Sequence, residues 1–223
     1  WRNPDESMRS VGMDDYLRKG VYAALDAVGA VVPDRDIHAA GYCIGCTLLS
    51  IAAAALADWG DTRIRDMTLL AAQTDFTEPG ELALFIDDSQ VTFLEDQMWE
   101  KGYLDSTQMS GAFQLLRSVD LVWSSVVKQY LKGERTPVND LMSWNADGTR
   151  MAYRMHTDYL HQLYLNNDLA EGRYVALGET LDLAAVDVPM FVVGTETDHV
   201  APWKSVYKVG KLVRSRDYTF CLT

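Results

Sequence analysis

Long apolar runs, paired cysteines and an excess of basic residues are all missing from this chain of 223 residues. The longest apolar stretch, residues 48–57, is too short and too rich in alanine to cross a bilayer as a helix, so no transmembrane segment is expected. Three cysteines, an odd number, make no disulfide framework and point to a reducing, cytoplasmic setting. With 20 Lys and Arg against 32 Asp and Glu, the net charge of -12 offers no basic face for a phosphate backbone. That excludes a general affinity for nucleic acid and leaves the charge to serve solubility. There are no internal repeats and no low-complexity linker. What remains, 48% hydrophobic and 23% charged residues, is the composition of a globular protein large enough to bury a full core.

The chain is organised around His38-Ala39-Ala40-Gly41-Tyr42-Cys43-Ile44-Gly45-Cys46, followed by the small and apolar residues 47–57. An apolar segment ends at Gly41, turns at Cys43 and re-enters as a helix. Gly41-x-Cys43-x-Gly45 has the spacing of a nucleophile elbow, where a strained strand-to-helix turn leaves little room for side chains beside the nucleophile. The nucleophile would be the Cys43 thiol. At a helix start its thiolate is favoured by unpaired N–H groups and the helix dipole, which predicts reactivity near neutral pH.

Around this stretch the pattern alternates strands with helices. Leu17, Val21, Ala24, Leu25 and Val28 recur at helical spacing and predict a helix over residues 14–29. Residues 36–42 read as the strand that delivers Cys43, with a helix following to about Trp59. Residues 67–72 read as a strand buried on both faces of a parallel sheet. From residue 77 to about 175 no strand alternation is visible, and segments such as 81–99 and 109–131 predict a mostly helical insertion. Sheet character returns at 188–194, a helix is expected over 204–213, and a last strand over 218–223. The expected fold is an α/β-hydrolase type, a mostly parallel sheet with a mainly helical cap. It divides into core residues 1–76, cap residues 77–175 and core residues 176–223. Trp1-Arg2-Asn3-Pro4 reads as a strand end without a partner and the last strand stops abruptly, so the expected unit is truncated at both ends.

Asp198 follows the strand over 188–194, at the carboxyl end of the sheet where Cys43 also lies and where ligands sit in open α/β sheets. Nucleophile followed by acid is the α/β-hydrolase order, with histidine third. His199 adjoins Asp198 and cannot easily turn back to bridge it to Cys43, while His38, His156 and His161 precede the acid. The triad histidine is therefore expected beyond residue 223. Without it Asp198 is a poor base for a thiol, since proton transfer is uphill by about 6 kcal/mol at unperturbed pKa values.

Gly41-Tyr42-Cys43-Ile44-Gly45, Trp144-Asn145-Ala146-Asp147, Arg154-Met155-His156 with Tyr159-Leu160, and the run Gly194-Thr195-Glu196-Thr197-Asp198-His199-Val200-Ala201-Pro202-Trp203 together resemble the catalytic domain of polyhydroxyalkanoate synthases, most closely class I. The resemblance covers essentially the whole chain. It implies an acyltransferase that polymerises (R)-3-hydroxyacyl-CoA, typically 3-hydroxybutyryl-CoA, and releases CoA, with no cofactor beyond the CoA thioester substrate. It further implies that Cys43 carries the growing polyester as a thioester, that Asp198 is the catalytic acid, and that the protein works as a dimer in contact through the cap, at the surface of polyester granules. The backbone N–H of Ile44 is the expected oxyanion donor. His199 and Trp203 would stand in the pocket or behind its lining. Two residues depart from the family's pattern: Cys46 where Gly is usual, and Ala152 where Pro is usual.

Other readings compete. Cys43-Ile44-Gly45-Cys46 is formally a C-x-x-C at a helix start, the spacing of a thiol oxidoreductase, but that leaves the Asp198 element and the long insertion unexplained. Cys221 is expected in the core and His38 to be structural or exposed. Trp144 and the other aromatics of the insertion are expected more as core than as substrate contacts. His156 and His161 lie five apart on a helix, a poor spacing for a shared metal, and no metal site is expected. A catalytically inactive subunit of the same fold, binding granules or dimerising, is the alternative function.

Overall fold

The computed structural model describes residues 1–116, 123–134 and 139–223. Four strands form the central sheet: β1 (Ile37–Tyr42), β2 (Ile64–Leu70), β7 (Met190–Gly194) and β8 (Tyr218–Leu222), in the order β1-β2-β7-β8. All three pairings are parallel, with Tyr42 opposite Leu70, Leu70 opposite Val193 and Val193 opposite Cys221. Parallel neighbours need crossovers, and the helix Ile44–Asp58 provides the first.

That helix, the elbow helix, carries Ile51, Ala52, Ala53, Ala54 and Ala55, all buried. Small side chains let its backbone approach the sheet closely, and burial all round explains why its sequence shows no polar stripe. Before β1 the chain is helical from Met13–Asp15 through a wider π-type stretch, Tyr16–Tyr22, to Ala23–Val31. Leu17 and Leu25 are buried there as expected, but Val28 is exposed. The helix thus runs past the expected stop at Gly29, and its last turn leaves the core.

Strand β2 differs from the expectation over residues 67–72. It starts earlier and ends at Leu70, because Ala71 takes a left-handed backbone with φ 56°. Nor is it buried on both faces along its length: Ile64, Met67 and Leu69 are inside while Leu70 is exposed. The helix expected over 204–213 breaks into Trp203–Tyr207 and Val209–Leu212.

Between β2 and β7 the chain is mainly helical. Asp88–Lys101 is capped by the Asp87 carboxylate, which accepts the Gln90 N–H at 2.9 Å, and is closed by Gly102 at φ 79°. Ser106–Leu116, Asp140–Ala146 and Tyr153–Tyr159 follow, the last continued by a π-type stretch, Leu160–Leu165. Of the helix expected over 109–131, residues 117–122 lie outside the described residues. Two short antiparallel ribbons interrupt the helices: β3 (Tyr103–Leu104) with β4 (Met151–Ala152), and β5 (Val175–Ala176) with β6 (Glu179–Thr180). Two residues per strand leave too little alternation to read in a sequence.

Candidate active site

Cys43 sits between β1 and the elbow helix with φ 53° and ψ -123°, a conformation that costs a non-glycine residue on the order of 1–3 kcal/mol. The surroundings hold it there. Its N–H donates to the Leu70 carbonyl at 2.9 Å, extending the β1–β2 ladder by one residue. The Cys43 carbonyl accepts the Cys46 N–H at 2.8 Å and so opens the helix. Gly41 is required by close approach: a Cβ there would lie 2.8 Å from the Cys46 Cα and 2.9 Å from the Gly45 carbonyl oxygen. At Gly45 a Cβ would meet nothing within 4 Å. Only the first glycine of the elbow is therefore dictated by crowding.

The thiol is half-buried. Burial pushes its pKa above the ordinary cysteine value; the Ile44 N–H pulls the other way, and the Asp198 carboxylate adds to the rise. This corrects the expectation of a thiolate favoured near neutral pH, because desolvation outweighs the helix start. Cys46 is fully buried and its thiol donates to the same Leu70 carbonyl at 3.2 Å. Burial drives its pKa up to about 12, so it rests as a neutral thiol beneath the turn.

Asp198 lies in the loop after β7, at the same end of the sheet as Cys43. One carboxylate oxygen, Oδ1, accepts the N–H groups of Val200 and Ala201, each at 2.9 Å. Two backbone donors fix the side chain and leave Oδ2 for another partner. The loop is anchored on both sides. Glu196 donates its N–H to the Thr223 carbonyl at 2.9 Å, and the His199 carbonyl accepts the Glu81 N–H at 2.7 Å. Gly80, at φ 76°, lets the chain pass the His199 backbone, since a Cβ there would be 2.5 Å from the His199 oxygen. His199 is half-buried, and Trp203 opens the helix that follows Pro202, with its Cβ near Gly194 at the end of β7.

Among the described residues no histidine is hydrogen-bonded to Asp198 or to Cys43. His38 is exposed and pairs with Asp66 at 2.6 Å, and His161 pairs with Glu95 at 3.0 Å. His156 is buried, its Nδ1 has no partner, and desolvation lowers its pKa to about 4. Cys221 is half-buried in β8 rather than deep in the core. Of the insertion's aromatics, Tyr159 and Tyr174 are buried as expected, whereas Trp144 is 69% exposed, Phe93 63% and Trp99 57%.

Sequence patterns missed two residues of the site. Burial raises the pKa of Tyr159 and Tyr164, and nearby Cys43 adds to the rise in both. Phe76 packs against both rings, with centroids 6.1 Å from Tyr159 and 4.8 Å from Tyr164. The Phe76 N–H donates to the Asn167 side chain at 2.8 Å, tying the loop after β2 to the end of the tyrosine-bearing helix. Nothing in the spacing of two tyrosines on an apolar helix separates a site contact from a core residue.

Residues 1–220 match the sequence model of the alpha/beta hydrolase fold family. The chain is similar to a poly(3-hydroxyalkanoate) polymerase of Methylorubrum extorquens, 44% identical over 93% of this chain and 34% of that one. It is 33% identical to the poly(3-hydroxyalkanoate) polymerase subunit PhaC of Cupriavidus necator, over 97% of this chain and 38% of the relative. The chain thus spans about a third of the length of these curated relatives. A solved alpha/beta fold family hydrolase of Bacillus anthracis superposes with a TM-score of 0.50 at 12% identity, over 95% of this chain and 68% of that structure.

Proposed function

Because the chain belongs to the alpha/beta hydrolase fold family, we propose that it is the catalytic part of an acyltransferase that polymerises (R)-3-hydroxyacyl-CoA, most simply 3-hydroxybutyryl-CoA, into polyhydroxyalkanoate. The names of its relatives support the reaction class. The single observation that carries the chemistry is the strained Cys43, held at the carboxyl end of the sheet, where Asp198 also lies.

In this reading the Cys43 sulfur attacks the thioester carbonyl, the Ile44 N–H receives the developing oxyanion, and CoA leaves as its thiol with the proton taken from Cys43. The hydroxyl of a second acyl group then attacks the new thioester, forming an ester bond and extending the chain. A raised thiol pKa makes a base necessary. The base is proposed to be a histidine outside residues 1–223, with the fixed Asp198 as its orienting acid. His199 and Trp203 line the acyl pocket or stand behind it, and no cofactor takes part. The segment between β2 and β7 serves as the cap that keeps water from the thioester and moves to admit the CoA ester. Its exposed aromatics fit a dimer contact, and the protein's setting is the cytoplasm at the surface of polyester granules.

Substitution of the two cysteines tests the assignment. In the full-length protein Cys43→Ala is expected to abolish CoA release from 3-hydroxybutyryl-CoA, while Cys46→Gly keeps it. Equal loss from either change points to dithiol chemistry instead. CoA release by residues 1–223 alone, at a rate comparable to the full-length protein, would show that a base lies within them. No release by the full-length protein would favour an inactive, granule-binding or dimerising subunit.

A further inference from the structure

The strand β2 lies between β1 and β7 in the sheet, and the strap that leaves it, residues 73–81, touches both halves of the candidate site. On one side it holds the elbow helix. The Thr47 hydroxyl, four residues after Cys43, donates to the Gln73 carbonyl at 2.7 Å, and both residues are buried. On the other side it holds the segment that carries Asp198. The Glu81 N–H donates to the His199 carbonyl at 2.7 Å, and Gly80 lies against the backbone of His199 and Val200. The fully buried Ser205, in the helix Trp203–Tyr207, donates its hydroxyl to the Asp75 carbonyl at 2.6 Å. Lys208, at the end of that helix, donates to the Thr77 hydroxyl at 2.6 Å.

The shape of the strap is set at Asp75. Its Oδ1 accepts the Thr77 N–H at 2.8 Å and also the Thr77 hydroxyl, which folds residues 75–77 into an Asx turn. The Thr77 hydroxyl is thereby a relay that accepts from Lys208 and donates to Asp75. Asp75 Oδ1 also accepts the Asn167 side-chain N–H at 3.3 Å, while the Asn167 side-chain oxygen accepts the Phe76 N–H at 2.8 Å. Lys208 Nζ stands 3.7 Å from the same Oδ1 and 3.2 Å from a Glu78 carboxylate oxygen. Fully exposed ion pairs of this kind contribute little, but the Lys208 and Asp75 side chains are only 24% and 17% exposed. The N–H groups of Val200 and Ala201 fix the Asp198 side chain within its own loop. Where that loop stands relative to Cys43 is a separate matter, and the strap governs it.

We infer that Asp75 is a positioning residue that acts through Thr77, Lys208 and Ser205 to hold the Asp198 loop in register with Cys43. The inference rests on the acyl-transfer reading above, in which Asp198 orients the base. Asp75 exchanges no proton in the reaction; what it supplies is the fold of the strap. Without its carboxylate the Thr77 anchor is lost, and the helix Trp203–Tyr207 can shift together with the loop before it. A displacement of about 1 Å at a catalytic group is enough to cost up to about 100-fold in rate.

A double-mutant cycle in the full-length protein, with 3-hydroxybutyryl-CoA as acyl donor, tests this. Asp75→Ala is expected to lower kcat about 30-fold and leave KM within about twofold, because it displaces Asp198 without removing a substrate contact. In the Asp198→Ala background the same change is expected to cost less than about twofold, since the group it positions is gone. Asp75→Asn keeps an acceptor for the Thr77 N–H and should lose only about fivefold. Equal losses from Asp75→Ala in the two backgrounds overturn the inference. Amide exchange gives a readout without turnover: in Asp75→Ala the Val200 and Ala201 N–H groups should exchange about 10-fold faster while those of Ile44–Asp58 are unchanged. A uniform rise marks a merely structural role and also overturns it. Should Asp75→Ala fail to fold, Lys208→Gln is read in the same two ways, with an expected loss of about fivefold. Wild-type kcat and exchange in Lys208→Gln would then overturn the inference. If the wild type releases no CoA, or Asp198→Ala releases it as fast as the wild type, the catalytic reading fails. The exchange of Val200 and Ala201 still decides whether Asp75 holds the loop.

Discussion

Two helices of nearly equal length show how differently the two parts of the molecule are built. The elbow helix, Ile44–Asp58, buries ten of its fifteen residues, whereas Asp88–Lys101 in the insertion buries only Val91 and Met98 of fourteen. The first is specified from outside, by a sheet and neighbours that accept only small or well-shaped side chains. The second is specified locally, by the Asp87 cap at one end and the left-handed Gly102 at the other. A helix of the segment between β2 and β7 can thus be ordered by its caps without being deeply packed.

The sharpest way to break this contrast lies at the elbow. Gly41→Ala would place a methyl group 2.8 Å from the Cys46 Cα, inside backbone that cannot give way, and CoA release should fall by at least about 100-fold. Gly45→Ala meets open space and should be neutral or stabilise the elbow helix by up to about 1 kcal/mol. Urea unfolding and CoA release on both variants give the comparison. Equal damage at the two positions would show that the elbow is not governed by the Gly41 contact.

Next in size is the difference between the layers themselves. Ile51→Ala removes a fully buried side chain and should cost about 3 kcal/mol, while Phe93→Ala in the insertion, 63% exposed, should stay within about 0.5 kcal/mol. A loss at Phe93 as large as that at Ile51 would mean that the insertion's aromatics are covered in solution. Concentration dependence of the unfolding midpoint would then identify a second copy as the cover.

His156 is the place where the insertion does bury a polar group at a cost. Its folded pKa of about 4 lies below the unfolded value of 6.5, so the unfolded chain takes up the proton first. Its contribution is intact above pH 6.5 and is lost as pH falls from there toward 4, to a total of about 3 kcal/mol. His156→Leu should flatten that part of the stability profile. An unchanged slope in that window would place the acid sensitivity elsewhere.

The smallest expected effect is the cap itself. Asp87→Ala removes the acceptor for the Gln90 N–H and should cost about 1 kcal/mol, read as faster amide exchange over the first turn of Asp88–Lys101. A uniform change across the sheet would instead mean that the two regions unfold as one.

The elements governed by sheet packing were the legible ones. Small residues around Cys43, an apolar run ending at Gly194 and an acid four residues later carry a pattern because backbone approach and strand direction dictate them. Within the site, the sign of the Cys43 shift was misread. The helix start is visible in the sequence, whereas the desolvation that outweighs it comes from chain far away. Tyr159 and Tyr164 do not stand out as site residues for the same reason: Phe76, against which both rings pack, is more than eighty positions distant, and an apolar helical stripe reads the same whether it faces a core or a pocket. The exposed Trp144 and Phe93 were misjudged because hydrophobicity predicts a wish for cover, not its presence.

The parallel pairing of β2 with β7 also sets an order of events in time. β1 and β2 are joined through residues 43–63, whereas β2 and β7 must meet across residues 71–189. By loop-closure entropy alone the second meeting costs about 1.5 kcal/mol more than the first. The β1–elbow helix–β2 unit can therefore form while the rest of the chain is still being synthesised, and β7 must search for an edge that is already built. Asp198 rides on the late strand and Cys43 on the early one. A nascent chain would thus hold its thiol in place well before the acid arrives.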